Sequence, residues 1–262
     1  MFFFRALKYL IYILTARHKK GHGINSPFVF DMVLRIFRNK TNPETVLLIE
    51  RIRKKNKSDK RTITVLDLGA GSVKMQKSLR KVSDIARISA VPEKYGVLLS
   101  RLAAEFGKPD IVEFGTSLGF STMYLAAGSP GSVIYTMEGC PATSEIAKEN
   151  FREAGINNIN ILTGSFQDLI PELRKKTVNP GLIFIDGNHR KDPLNDYFRQ
   201  MAGMAGKSTL IVIDDIHHSK EMEEAWTEIK RHEKVTFTVD IFRMGLVFFR
   251  EGMNHLNYVI RY

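Results

Sequence analysis

Two acids and a glycine turn carry the first chemistry legible in this chain. Glu113 sits near the end of the apolar run Ile111-Val112-Glu113-Phe114, and Gly115-Thr116-Ser117-Leu118-Gly119-Phe120-Ser121 follows. Glycines at 115 and 119 let the backbone approach a ligand with no Cβ in the way. A short helical stretch, 121–127, leads through Ser129-Pro130-Gly131 to an apolar run, 132–137, that ends at Glu138. Glu138 lies 23 residues after Gly115. A strand, a glycine turn opening a helix, and a second strand ending in an acid form a nucleoside-binding unit. Glu138 would accept hydrogen bonds from two vicinal ribose hydroxyls, and Glu113 could accept from a ligand amine. These parts suit a nucleoside with an amino-acid tail as well as a dinucleotide.

A rival turn, Asp67-Leu68-Gly69-Ala70-Gly71-Ser72, has the commoner Asp-x-Gly-x-Gly form. Its context is wrong. Lys74, Lys77, Arg80 and Lys81 follow it, then sequence that reads as helical through Phe106, with no apolar strand ending in an acid. It is expected to be a structural turn.

Three further acids fall at the ends of apolar runs: Asp186 after 182–185, and Asp214 and Asp215 after 209–213. Ligands of open α/β sheets bind at such carboxyl ends. Converging carboxylates repel one another unless a cation or a basic group joins them. Hard oxygen ligands would favour Mg²⁺, Ca²⁺ or Mn²⁺. The plainer alternative is helix capping, with Asp215 closing a helix that starts near Ser219. His189, His217 and His218 are candidates for a general base, and His189 is preferred for its place three residues after Asp186. Cys140 has no paired base in the sequence and is not expected to act as a nucleophile.

The elements that must position these groups alternate from residue 110 onward. Strands are expected at 111–114, 133–137, 159–162, 182–185, 209–213, 235–241 and 245–249, with helices between the first six. Such alternation builds a parallel, doubly wound sheet. Only Phe242-Arg243-Met244 joins the last two runs, so they must pair antiparallel. The expected fold is α/β: a Rossmann-like, doubly wound, seven-stranded sheet, mostly parallel, with a C-terminal antiparallel hairpin and a helical N-terminal extension.

Residues 105–215 resemble class I S-adenosylmethionine-dependent methyltransferases, and within them O-methyltransferases related to catechol and caffeoyl-CoA O-methyltransferases. Five stretches carry the likeness in order: 112–121, 134–138, Gly164-Ser165-Phe166-Gln167-Asp168-Leu169-Ile170-Pro171-Glu172-Leu173, Ile183-Phe184-Ile185-Asp186-Gly187-Asn188-His189, and Leu210-Ile211-Val212-Ile213-Asp214-Asp215. The segment HGINSPFVFD is similar to uncharacterised bacterial proteins of a Bacteroidetes-type branch. The resemblance implies that Glu113, Gly115, Thr116, Ser117, Gly119 and Ser121 line the methionine end of S-adenosylmethionine. Glu138 and Gly139 would then hold the ribose. Ser165, Phe166 and Gln167 would flank the adenine, with Asp186 nearby. It also implies a divalent cation, Mg²⁺ or another, on Asp186, Asp214 and Asp215. With it come catalytic roles for His189 and Asp186 and a small hydroxylated methyl acceptor. The chain departs from the family at two points: Asp215 stands where Asn is usual, and His189 where the catalytic lysine falls, with Lys191 two residues on.

Composition bounds the rest. The 262 residues are 44% hydrophobic and 26% charged, which excludes disordered and collagen-like classes. One cysteine excludes an intramolecular disulfide and fits the cytoplasm. The net charge of +11 is concentrated: residues 1–60 carry +10 and the remainder +1. Domains are therefore expected at 1–100, a basic and mostly helical extension, and at 101–262, the methyltransferase domain. The run MFFFRALKYLIYIL is too short to span a membrane and contains Arg5 and Lys8. It lacks the order of an export signal. Phe3, Leu7, Leu10, Ile11 and Leu14 recur at helical spacing. A docked helix or a homodimer arm is the favoured use of this helix, and contact with an anionic membrane the less favoured one. An RNA or protein methyltransferase using the basic segment is the rival enzyme, and a non-catalytic adaptor the third alternative. The tetrad Asp186-Gly187-Asn188-His189 is not the Asn/Asp-Pro-Pro-Tyr/Phe motif that many N-directed enzymes carry, and nucleic acid is not expected as a partner.

Overall fold

The apolar runs Leu182–Ile185 and Leu210–Ile213 are buried at every position, as strands covered on both faces must be. In a computed structural model the chain divides into two units, Lys40–Pro180 and Met1–Asn39 with Gly181–Tyr262. The structure describes residues 2–16, 24, 26–38, 41–67, 76–252 and 255–262. The Gly69-Ala70-Gly71 turn lies outside the described residues.

Within Lys40–Pro180, helix α3 (Pro43–Ser58) starts at Asn42, whose side chain accepts from Glu44 N–H with Pro43 in the first turn; Pro at that position loses no bond. Strands β1 (Thr62–Asp67) and β2 (Gln76–Lys81) pair antiparallel. Residues 76–81 are thus a strand where the sequence read as helical. They have no apolar stripe of their own, and pairing with the β-branched run of β1 decides their state. Next come α4 (Val82–Ile88), α5 (Glu93–Phe106), β3 (Asp110–Phe114), α6 (Phe120–Gly128), β4 (Val133–Glu138), α7 (Pro141–Ala154), β5 (Ile159–Thr163) and α8 (Phe166–Lys176). Strand β4 runs parallel between β3 and β5.

Helices α3 and α4 share one apolar cluster with α6 and α7: Ile49, Ile52, Val82 and Ile85 pack with Phe120, Met123, Ile146 and Phe151. The basic residues nearby are met locally. The Arg61 guanidinium forks onto Glu149 at 3.1 and 2.8 Å, and Lys55 pairs with Glu153. Buried Asn56 and Asn150 hydrogen-bond each other.

The other unit opens with α1 (Phe2–Thr15) and α2 (Pro27–Met32), which continues as a π-turn over Val33–Phe37. It then holds β6 (Leu182–Ile185), α9 (Lys191–Met204), β7 (Leu210–Ile213), α10 (Lys220–Ile229), β8 (Phe237–Asp240), β9 (Gly245–Phe248) and β10 (Leu256–Val259). Strands β6 and β7 are parallel. Strand β9 inserts antiparallel between β7 and β8. Strand β10 adds parallel to β8, one strand beyond the seven expected. Trp226 of α10 packs against Gly245 of β9, where a Cβ would come within 2.7 Å of its ring. The architecture is the Rossmann-like α/β fold, mostly parallel with an antiparallel pair near the C-terminus.

Candidate cofactor and acceptor sites

The chain leaves β3 with Gly115 at φ 96°, Ser117 at 48° and Gly119 at 82°. Position 119 admits only glycine, since its φ is left-handed and a Cβ would meet the Phe151 ring at 2.3 Å. The N–H groups of Gly115 and Thr116 both donate to Met137 O, pinning the turn to β4. Glu138, the last residue of β4, accepts from Ser117 N–H at 2.7 Å on one oxygen and from Cys140 N–H at 2.8 Å on the other. The turn therefore orients the acid. Each carboxylate oxygen keeps a second lone pair, and a vicinal diol needs two acceptors so placed.

Glu113 is fully buried. The β3–β4 register sets it opposite Thr136. Thr136 donates to its Oε2 at 2.7 Å, Thr122 donates to the same oxygen, and Thr116 meets Thr136 at 2.6 Å. Its Oε1 has no hydrogen-bond partner among the described residues. Burial pushes the carboxyl up to about 7; the hydroxyls of Ser121, Thr122 and Thr136 pull it back, and Glu138 adds repulsion. A buried acceptor left half-satisfied is costly unless a ligand completes it. An ammonium group would do so, and this fits an amino-acid-tailed nucleoside. Phe166 stands edge-on to Phe114 at 5.3 Å. Ser165 caps α8, accepting from Asp168 N–H and donating to Asp168 at 2.6 Å, so its side chain serves the helix. Gly139 lies half-buried beside Glu138, and Gln167 occupies the first turn of α8.

In the other unit, Asp186 follows β6, and Asp214 and Asp215 follow β7. Asp214 is fully buried, and Arg243 from the β8–β9 turn forks onto both its oxygens at 3.0 and 2.6 Å. Asp215, at φ 52°, faces Arg5 of α1 at 3.3 Å, His218 at 3.8 Å and Arg243 at 4.0 Å. Asp215 does not cap α10; Ser219 does, accepting from Met222 N–H. His189 lies 3.6 Å from Asp186 and 5.9 Å, ring to ring, from His218. His217 pairs with Asp240 at 2.8 Å. Lys191 is drawn to Glu224 and Glu228 of α10.

The trio Asp186, Asp214 and Asp215 does not fit the divalent cation expected from the sequence. A hard cation needs converging oxygens with lone pairs to give, and both oxygens of Asp214 already face a guanidinium. Among the described residues no three His, Cys, Asp or Glu side chains come together as metal ligands. Burial pushes Asp214 up while Arg243 opposes this. Burial alone would lower Arg243, but Asp214 and Asp215 more than reverse it, so it stays charged. Burial holds the His189 imidazole below its ordinary value against the pull of Asp215 and Asp214, leaving it neutral at pH 7.

Sequence reasoning missed four contributors. Thr136 was findable, because strand register places it across from Glu113. Thr122, one turn into α6, had only weak spacing to recommend it. Arg243 and Arg5 had no local signal: they lie 29 and 210 residues from their acidic partners.

Residues 112–216 match the family described as Methyltransferase domain. A catechol O-methyltransferase of Niastella koreensis is 33% identical over 145 residues, covering 54% of this chain and 64% of that protein. One of Mycobacterium tuberculosis is 29% identical over 136 residues, covering 51% and 60%. The chain thus spans less than two thirds of the length of these curated relatives. Among solved structures, the O-methyltransferase from Bacillus cereus in complex with SAH superimposes with a TM-score of 0.55 at 19% identity, over 84% of this chain and 97% of that one. At that identity the likeness speaks for the fold. Residues 112–216 are thus similar to a methyltransferase domain, and the matching stretch is shared with proteins named catechol O-methyltransferases.

Proposed function

We propose that this chain is a cytoplasmic S-adenosylmethionine-dependent O-methyltransferase acting on a small hydroxylated molecule. One observation carries the reading: a glycine turn holding an oriented ribose acid, Glu138, beside a buried, half-satisfied carboxylate, Glu113. When bound, the cofactor supplies a methyl group on a positively charged sulfur. Glu113 would meet its ammonium, Glu138 its ribose hydroxyls, and Phe166 with Gln167 one face of its adenine. His189, held below its ordinary value by burial and 3.6 Å from Asp186, is assigned as the base that would accept the proton of an acceptor hydroxyl. Rate enhancement would come mainly from positioning. No cation is assigned, because Arg243 already neutralises Asp214. Single cysteine content supports the reducing compartment.

Calorimetry with S-adenosylhomocysteine tests the proposal. Micromolar binding is expected, and absence of binding at millimolar ligand would sink it. A screen of hydroxylated acceptors with labelled cofactor then identifies the substrate.

A further inference from the structure

Arg53 of α3 is 5% exposed, and a guanidinium carries five N–H donors and no acceptor. Its Nε lies 3.0 Å from Glu50 Oε1. That oxygen also accepts from the Tyr124 hydroxyl at 3.0 Å. Among the described residues neither Nε nor Nη2 of Arg53 has a hydrogen-bond partner, so Glu50 supplies charge but no aligned acceptor. A buried guanidinium left in this state is costly unless an anion completes it. Its carbon stands over the Phe120 ring, 4.9 Å from the centre. Phe120 is the first residue of α6, and a helical side chain covers the turn N-terminal to its own Cα. Arg53 therefore stands at the N-terminal end of that helix. Gly119 holds the N-cap position there and makes no side-chain cap. The N–H groups of an uncapped first turn and the positive end of the helix dipole favour an anion too.

We propose that Arg53 binds the carboxylate of the cofactor's amino-acid tail at the N-terminus of α6. The inference rests on the cofactor reading above and adds a residue that the glycine turn and its acids do not supply. Glu113, whose Oε1 is likewise unmatched, is held by Thr122 in the same first turn of α6. One helix end thus meets a buried carboxylate and a buried guanidinium, each short of a partner. An amino-acid tail carries one charge of each sign: its ammonium completes Glu113 and its carboxylate completes Arg53. Nε and Nη2 form one edge of the guanidinium, and that edge takes both oxygens of a carboxylate in parallel. Arg243 uses the same edge on Asp214, at 3.0 and 2.6 Å. Helix α3 is also tied to the glycine turn. Asn56, three residues after Arg53 and so on the same helical face, hydrogen-bonds Asn150, which donates to Leu118 O at 2.9 Å. A helix that charge alone would assign to a basic extension becomes part of the cofactor site.

Calorimetry of the full chain with two ligands tests this. S-adenosylhomocysteine carries the whole tail, whereas S-adenosyl-3-thiopropylamine keeps the ammonium and lacks the carboxylate. Wild type should bind the first at least about tenfold more tightly than the second, the worth of a charged hydrogen-bonded pair. Arg53→Gln should abolish that preference while its affinity for the amine stays at the wild-type value and its circular dichroism is unchanged. If that variant fails to fold, Glu50→Gln/Arg53→Met, which removes both charges together, should show the same loss of preference. Wild type with no preference between the ligands overturns the proposal and leaves the cofactor reading standing. A folded variant that keeps the wild-type preference, or one that weakens both ligands equally, also overturns it, since a merely structural arginine would act on both alike. Wild type that binds neither ligand overturns the cofactor reading, and the proposal with it.

Discussion

Glu113→Gln keeps the shape of the side chain and its contacts with Thr122 and Thr136 but removes its capacity for charge. The carboxyl is pushed from 4.5 to about 7 by burial, and each unit corresponds to about 1.36 kcal/mol. Holding the charge in the empty fold therefore costs about 3 kcal/mol. The folded state binds this proton more tightly than the unfolded chain does. Stability is thus full below about pH 4.5, falls as pH rises toward 7, and stays low beyond. The glutamine variant lacks this loss. It gives back about 1 kcal/mol if its amide N–H finds no acceptor, leaving a net gain of about 2 kcal/mol at pH 8. For a chain of this size that is roughly 4–8 °C in Tm. Thermal melts of both proteins at pH 5 and pH 8 should show a small difference at the lower pH and the full one at the higher. The same variant should bind S-adenosylhomocysteine at least about tenfold more weakly, because the ligand ammonium loses a charged partner. A variant less stable than wild type at pH 8, or one with unchanged ligand affinity, would refute the reasoning.

Four other outcomes follow from the sites. Binding of S-adenosylhomocysteine near pH 7 should release about half a proton as Glu113 ionises beside the ammonium; calorimetry in buffers of different ionisation enthalpy measures this, and zero release would dissociate the two groups. Glu138→Ala removes the ribose acceptor and the partner of two backbone N–H groups, so affinity should fall by about tenfold or more in the same titration; unchanged affinity would remove the ribose assignment. Wild type should bind no Mn²⁺ at sub-millimolar concentration by water-proton relaxation, and EDTA should leave turnover intact. Arg243→Met should lose about 3–5 kcal/mol in denaturant unfolding by stranding buried Asp214, and adding Asp214→Asn should restore most of it. Saturable Mn²⁺ binding to wild type would show that Arg243 does not hold that charge.

How much of this was legible in the sequence depends on the distance over which each feature is decided. The turn at 115–119 and the acids at 113 and 138 are local, because glycine spacing and strand ends dictate their geometry. The parallel strands 182–185 and 210–213 were plain from unbroken apolar runs. Strand β2 was not, since Gln76–Lys81 takes its state from pairing with β1 rather than from its own pattern. The charge of residues 1–60 marked a stretch of chain but not its packing: Ile49 and Ile52 enter the same cluster as Phe120 and Phe151, and composition is blind to that. The guanidinium on Asp214 was hidden for a like reason. It comes from a hairpin turn that sequence reading treated only as a connection.

Trp226 is the chain's single tryptophan. It is buried against Gly245, with the Lys230 ammonium 5.8 Å from its ring centre. Every other indole-free element, including all of Lys40–Pro180, is silent in red-edge-excited emission. The wavelength of that emission therefore reports one unit, while far-ultraviolet circular dichroism reports both. Coincident transitions would mean that the two units melt as one cooperative body. A ligand held by Glu113 and Glu138 that moves the tryptophan transition would measure, in degrees, how strongly binding in one unit stabilises the other.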